Sequence, residues 1–298
     1  MTRFVKERPS GISEYNPSLP QCCSSEAAFT SQRLMAVCPP SILDSERRPE
    51  IPCIEETSIP DSICPAVPRR KETISHHTMR SAAKANRRYF RDAYRTGKHG
   101  WAVEEPSPYA VKFLIRLKHI VPNGKLLDIG CGEGRHAIVS RKMGFSVTAV
   151  DYEPLALKRA RHLAQEKGAE GIVFRLADIL RMPAPETRFD VVLDYGCLHH
   201  QRKTDWPAYK ASVLRVLSDR GFFILSVFSP KFPLFRGSAR NWHIAQGAYR
   251  RSFTHRDLLG LFGREFEVLD MIEENGGEHG FWHVLWRRRE SDEHFHHR

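Results

Sequence analysis

The sequence predicts an α/β fold built on a doubly wound, mostly parallel sheet, and three observations carry that prediction. Beyond residue 81, short apolar runs of strand length alternate with longer stretches of helical periodicity. The first run is joined to the next helix by a glycine-rich turn, Gly130-Cys-Gly-Glu-Gly134. The second run ends on an acid, Asp151. Strands separated by helices of this length imply parallel neighbours joined by right-handed crossovers.

Each element has a local reason. Ser107-Pro108 reads as a helix start, with serine as cap and proline at the first helical position. Ala110, Phe113, Leu114, Leu117 and Val121 follow at helical spacing, and Pro122-Asn123-Gly124 ends the helix. Residues 125–129 and 146–150 read as buried strands flanking a helix that runs to about Lys142. Pro154 opens another helix, whose apolar side is Leu157, Ala160, Leu163 and Ala164 and whose C-terminal cap is Gly168. Residues 172–176 and 189–193 form strands three and four. Residues 205–217 form a helix capped by Asp205, and residues 222–228 form strand five. Thr254-His-Arg-Asp257 has the spacing of a capping box. Two closing strands, 266–272 and 281–287, bring the expected sheet to seven.

Composition divides the chain near residue 78. The protein has 298 residues and a formal net charge of +11. Residues 1–80 carry 10 basic and 10 acidic side chains, so the whole excess lies beyond them. The same segment holds 10 of the 19 prolines, 5 of the 7 cysteines and only three aromatics. So few core-forming residues cannot offset chain entropy, so residues 1–78 read as a disordered or loosely attached leader and 79–298 as the folded domain. Its cysteines (22, 23, 38, 53 and 64) include no Cys-x-x-Cys pair, so neither a zinc site nor any other metal centre is expected. No apolar run approaches the ~18 residues of a membrane span, and residues 1–30 lack an apolar secretory core. The expectation is a cytoplasmic protein with no membrane partner.

In a doubly wound sheet, ligands bind outside the carboxyl ends of the strands. Glycines at 130, 132 and 134 let the backbone turn sharply and approach a ligand closely. Asp151 stands where an acid can accept hydrogen bonds from ribose hydroxyls. The spacing is Gly-x-Gly-x-Gly rather than Gly-x-Gly-x-x-Gly, and Asp128 precedes the first glycine by two. That carboxylate would repel a pyrophosphate and attract an ammonium group. The ligand called for has a ribose and a cationic amino-acid end.

Asp128-Ile-Gly-Cys-Gly-Glu-Gly134, Val147-Thr-Ala-Val-Asp151, Ala177-Asp178 and Phe189-Asp-Val-Val-Leu-Asp194 together resemble the successive motifs of the class I S-adenosylmethionine-dependent methyltransferases. The resemblance covers roughly residues 85–290 and implies a seven-stranded Rossmann-like sheet with S-adenosyl-L-methionine as cofactor. By position it places Gly130, Gly132 and Gly134 under the methionine part and Asp128 near its ammonium. Asp151 and Tyr152 fall at the ribose, Asp178 and Ile179 at the adenine, and Asp194 and Tyr195 beside the reactive methyl. The front segment Tyr89-Phe90…Tyr94…Gly97…Trp101…Pro106 is similar to the lead-in of the thiopurine, halide and tellurite-resistance type, which methylates small molecules.

On the acceptor side, His199 and His200 are the candidate general bases, with Tyr195 beside them and Trp101 as a lid. The expected partner is a small-molecule nucleophile. Arg87, Arg91, Arg95 and Lys98 fall at 4, 4 and 3 spacing and would form one basic stripe on a helix. That stripe keeps an RNA-directed methyltransferase open as a less favoured alternative, and a catalytically silent cofactor-binding domain is a third.

Overall fold

The computed structural model describes residues 76–97, 99–101, 103, 105–275 and 279–290. The expected leader up to residue 75 and its five cysteines lie outside the described residues. The first described helix, α1 (His76–Thr96), begins ahead of the boundary expected at residue 78.

A seven-stranded sheet organises the rest. Its strands are β1 (Lys125–Ile129), β2 (Ser146–Asp151), β3 (Val173–Leu176), β4 (Phe189–Tyr195), β5 (Leu217–Phe228), β8 (Phe266–Glu273) and β9 (Phe281–Arg288). Their order is β3-β2-β1-β4-β5-β9-β8. The first five are parallel, while β9 runs antiparallel to both β5 and β8. Helices α2 (Pro108–Ile120), α3 (Arg135–Lys142), α4 (Pro154–Glu166), α5 (Trp206–Val216) and α6 (His255–Phe262) connect them. The doubly wound fold expected from the sequence is therefore present. A two-stranded hairpin, β6 (Trp242–Ala245) with β7 (Ala248–Arg251), is inserted between β5 and α6.

Burial explains these choices. The central strand β1 buries Leu126, Leu127, Asp128 and Ile129, so it reads as a continuous apolar run rather than an alternation. One face of the sheet packs Phe113, Leu114 and Leu117 of α2 against Leu193, Ile224 and Leu285. The opposite face packs Tyr209, Val213 and Val216 of α5 with Phe262 and Trp286. A fully buried Leu or Phe contributes about 1.5–3 kcal/mol through removal from water, so these two layers dominate the fold.

Some predicted caps take other forms. The Thr254–Asp257 capping box is formed reciprocally, as its spacing implied. Ser107 and Asp205 precede their helices but make no side-chain cap bond. The Ser107 side chain is instead engaged with the Tyr195 phenol, and its amide donates to His136 Nε2 at 3.1 Å. The strand order reverses between β1 and β4, which places the ligand crevice at the carboxyl ends of those two strands.

Candidate active site

A cavity of about 1400 Å³ opens over those strand ends. Its floor is the β1–α3 turn. Gly130 and Gly132 have φ of 66° and 56°, a region that L side chains avoid. A Cβ at Gly130 would stand 2.9 Å from the Cys197 Cβ, and one at Gly132 would stand 2.9 Å from the Tyr94 hydroxyl. Both glycines line the cavity. Gly134 does not: at φ 83° it packs against Ala160 of α4, so its role is helix packing and not the ligand contact expected of it.

Two acids and a phenol surround this floor. Asp128 is 2% exposed, and its Oδ2 has no hydrogen-bond partner. Burial and the neighbouring carboxylate of Asp194 raise its pKa to about 7. Asp151 accepts one bond on each oxygen, from the Gly132 and Glu153 amides at 2.9 Å. Burial raises its pKa to about 6 against those amides. The Tyr152 hydroxyl is buried without a partner. Asp178 caps a 3-10 turn through the Leu180 amide at 3.0 Å, and Ile179 lies beside it, buried, on the cavity wall.

Asp194 is a correction to the sequence reading. It is fully buried, does not line the cavity, and points toward α5. Its oxygens accept from the Cys197 and Leu198 amides at 2.7 and 3.0 Å and from the Tyr209 hydroxyl. Successive residues of a strand face opposite sides of the sheet, so when Tyr195 faces the cavity Asp194 cannot. Its carboxylate fixes the loop 196–201 instead of meeting a ligand.

That loop carries both histidines, in different states. His199 stacks on Phe228 with ring centroids 3.6 Å apart, and its Nδ1 accepts from the Phe228 amide at 3.3 Å. Burial drives its pKa well below 6.5, so it is neutral with the proton on Nε2 and has no free lone pair. The expectation that His199 could be a base is not met. His200 donates from Nδ1 to the Tyr249 carbonyl at 2.8 Å, which leaves its Nε2 as an acceptor on the cavity wall. Burial lowers its pKa to about 4. The Tyr195 ring lies tilted against His136 at 4.6 Å and under the Arg135 guanidinium at 5.0 Å. Burial raises its pKa, so it presents a neutral phenol and an aromatic wall.

The basic stripe is partly paired within the molecule. Arg87 pairs with Asp178 at 2.7 Å and lies 4.8 Å over the Tyr152 ring. Arg91 meets Glu153 at 3.7 Å, and Arg88 and Arg95 flank Asp92. Lys98 lies outside the described residues. Helix α1 roofs the cavity with Asn86, Arg87, Tyr89, Phe90 and Tyr94, while Arg88, Arg91 and Arg95 stay largely exposed to solvent. Trp101 joins the roof, with its indole N–H donating to the Tyr94 hydroxyl at 3.1 Å. Sequence reading missed Arg135, His136, Arg250, Glu274 and His283, which belong to no motif and converge only through the fold.

Among the described residues, no cluster has the makings of a metal site, and no helix is long and apolar enough to cross a membrane. The chain is 27% identical over 128 residues to a 2-heptyl-1-hydroxyquinolin-4(1H)-one methyltransferase of Mycobacteroides abscessus, covering 43% of this chain and 55% of that one. It is 29% identical over 184 residues to EEF1A lysine methyltransferase 2 of Mus musculus, covering 58% of this chain and 64% of the other. The chain therefore spans less than two thirds of the length of either relative. Its structure is similar to that of 1,6-didemethyltoxoflavin-N1-methyltransferase of Burkholderia thailandensis, which holds 1,6-didemethyltoxoflavin and S-adenosylhomocysteine. The TM-score there is 0.57 at 26% identity, over 71% of this chain and 90% of that one. Residues 120–276, just over half of the sequence, match the family described as "Methyltransferase domain". With the glycine turn, the acid-lined crevice and the seven-stranded sheet in place, the chain belongs to that family, the class I S-adenosylmethionine-dependent methyltransferases.

Proposed function

We propose that the protein transfers the methyl group of S-adenosylmethionine to a small-molecule nucleophile. The observation that carries this reading is one cavity that joins Asp128, a buried acid with an unpaired oxygen, to a set of aromatic side chains. The residues fit the cofactor. The unpaired Asp128 Oδ2 suits an α-ammonium group, and Asp151 retains lone pairs for ribose hydroxyls. Asp178, Ile179 and Tyr152 line the part of the cavity assigned to the adenine and ribose.

When bound, the cofactor supplies a methyl carbon on a sulfonium, already activated for in-line displacement. The chain's own work is then alignment, which can contribute ~7–11 kcal/mol to lowering the barrier. An acceptor that arrives protonated gives its proton to His200 Nε2 or to water. The Tyr249 carbonyl fixes that histidine's tautomer, and Asp194 holds the loop on which it stands. Small-molecule acceptors also stand in the names of the quinolone relative and of the toxoflavin structure. Labelled-methyl transfer against low-molecular-weight acceptors, total RNA and protein tests the reading. Label in the small-molecule fraction supports it, and label confined to RNA or protein overturns it.

A further inference from the structure

The acceptor chamber carries a polar relay that the cofactor site does not use. Tyr195, Ser226 and His283 stand side by side in register across β4, β5 and β9, and so point from one face of the sheet. Ser226 and His283 are 1% and 0% exposed, beside the apolar layer that holds Leu193, Ile224 and Leu285. The Ser226 Oγ lies 2.9 Å from His283 Nδ1, and His283 Nε2 lies 3.1 Å from the Glu274 carboxylate. Since a carboxylate only accepts, Nε2 carries the proton and Nδ1 receives the serine hydroxyl. Tyr109 stacks on the imidazole at 4.3 Å and locks its plane. The second Glu274 oxygen accepts the Phe281 amide at 3.1 Å.

Glu274 itself is on the cavity wall. Burial pushes its carboxyl up, but the hydrogen bonds from His283 and the Phe281 amide outweigh that and hold it below the usual range, so it is ionised at neutral pH. A carbonyl oxygen would satisfy the same two N–H donors without the cost of partly desolvating a charge. Each carboxylate oxygen also keeps a lone pair beyond the one it uses. The same cavity is lined by Tyr195, Phe228 and Phe281 from the sheet, Phe232 from the turn after β5, and Tyr89 and Phe90 on α1. Aromatic walls of this kind take a flat ring by stacking. The chamber also holds the guanidiniums of Arg135 and Arg250 and the imidazole of His279. Arg135 and Arg250 line the same cavity as Glu274, so its carboxylate is not the unopposed anion that an aliphatic ammonium acceptor calls for.

We infer that the acceptor is a flat aromatic molecule bearing a ring N–H or hydroxyl donor, and that Glu274, fixed by Ser226 and His283, receives that donor. The inference rests on the methyltransferase reading above and narrows it to one substrate class. Glu274 is then a specificity-determining residue, and His283 and Ser226 are positioning residues acting through it.

The test uses the full chain loaded with S-adenosylhomocysteine and measures binding by calorimetry. The probes are quinolin-4(1H)-one, its 1-methyl derivative and hexylamine. The expected result is that the quinolone binds, its 1-methyl derivative binds about tenfold or more weakly, and hexylamine does not bind. Glu274→Gln should weaken the N–H quinolone by about tenfold and leave the 1-methyl compound unchanged. Ser226→Ala should give a smaller loss with the same selectivity. The comparison of the two quinolones on the wild-type protein stands even if a variant fails to fold. Equal affinity for both quinolones, tighter binding of hexylamine, or no binding of either quinolone to the loaded protein overturns the inference and leaves the methyltransferase reading standing. Failure of S-adenosylhomocysteine to bind at all overturns both.

Discussion

Asp128 shows most directly how a single side chain sets the behaviour of the site. Its pKa of about 7 means that it is only partly ionised at neutral pH until a cation arrives. Cofactor affinity should therefore fall as pH drops through about 7, and Asp128→Asn should weaken binding and flatten that dependence, as titration calorimetry from pH 5.5 to 8.5 would show. His200 gives a second residue-scale prediction. Its Ala variant should lower kcat by ~10²-fold or more for an acceptor that arrives protonated, with cofactor affinity unchanged. Because its pKa is about 4, the wild-type rate should show no histidine limb near 6.5. A limb near 6.5 that vanishes in the variant would contradict this assignment. The residues set by local motif (Asp128, Gly130, Gly132 and Asp151) were legible in the sequence because strand, turn and acid follow each other within about two dozen positions. Asp194 was misread because its motif gives the position but not the side of the strand to which it points. The two histidines are adjacent and chemically identical in sequence. Only the Phe228 amide and the Tyr249 carbonyl tell them apart.

At the scale of elements, α1 is held over the cavity by contacts to distant parts of the chain. The Asn86 amide donates to the His200 carbonyl at 3.0 Å and accepts the Tyr249 amide at 2.7 Å, so it ties the roof to both the 196–201 loop and the hairpin strand β7. Arg250 of that hairpin donates to the Tyr89 hydroxyl at 2.7 Å. Asn86→Ala removes both bonds and leaves two backbone groups unpaired, a cost of about 1–3 kcal/mol. Its melting temperature should fall by roughly 3–10 °C by calorimetry. The Arg87–Asp178 pair is half-exposed and should contribute less than about 1 kcal/mol to stability. The stripe of arginines was visible in the sequence, but Asp178 and Glu153, the partners of Arg87 and Arg91, belong to other elements, so that pairing could not be read from the helix alone. The hairpin β6–β7 was missed because its strands are only four residues each and half-exposed, too short for alternation to register. The β1–α4 segment and the paired strands β5 and β9 were legible because their apolar runs are long and bounded by glycine, proline or charge.

Across the whole molecule, opposed titrations set the pH of greatest stability. Asp128, Asp151 and Asp194 have native pKa values of about 7, 6 and 7, all raised above 3.8 by burial. Such groups favour the protonated native state, so their contribution is full below about 4 and is lost as pH rises through 6–7. His136, His199 and His200 are lowered by burial, so theirs is present above 6.5 and lost as pH falls toward 4. The ligand-free protein should therefore be most stable near pH ~6 in thermal scans, and a cationic ligand should shift that optimum upward by favouring ionised Asp128. Fold class followed from the order of elements, and the family followed from glycine spacing and two acids. The shape of the acceptor chamber depends on residues from α1 to β9, which no local pattern links. The central claim, that this crevice takes S-adenosylmethionine and not a dinucleotide, is tested most directly by calorimetric titration of the wild type and Asp151→Ala with S-adenosylmethionine and with NAD. The account predicts that S-adenosylmethionine binds the wild type, that Asp151→Ala weakens it ~5–150-fold, and that NAD binds neither. Binding of NAD, or unchanged S-adenosylmethionine affinity in Asp151→Ala, would contradict it.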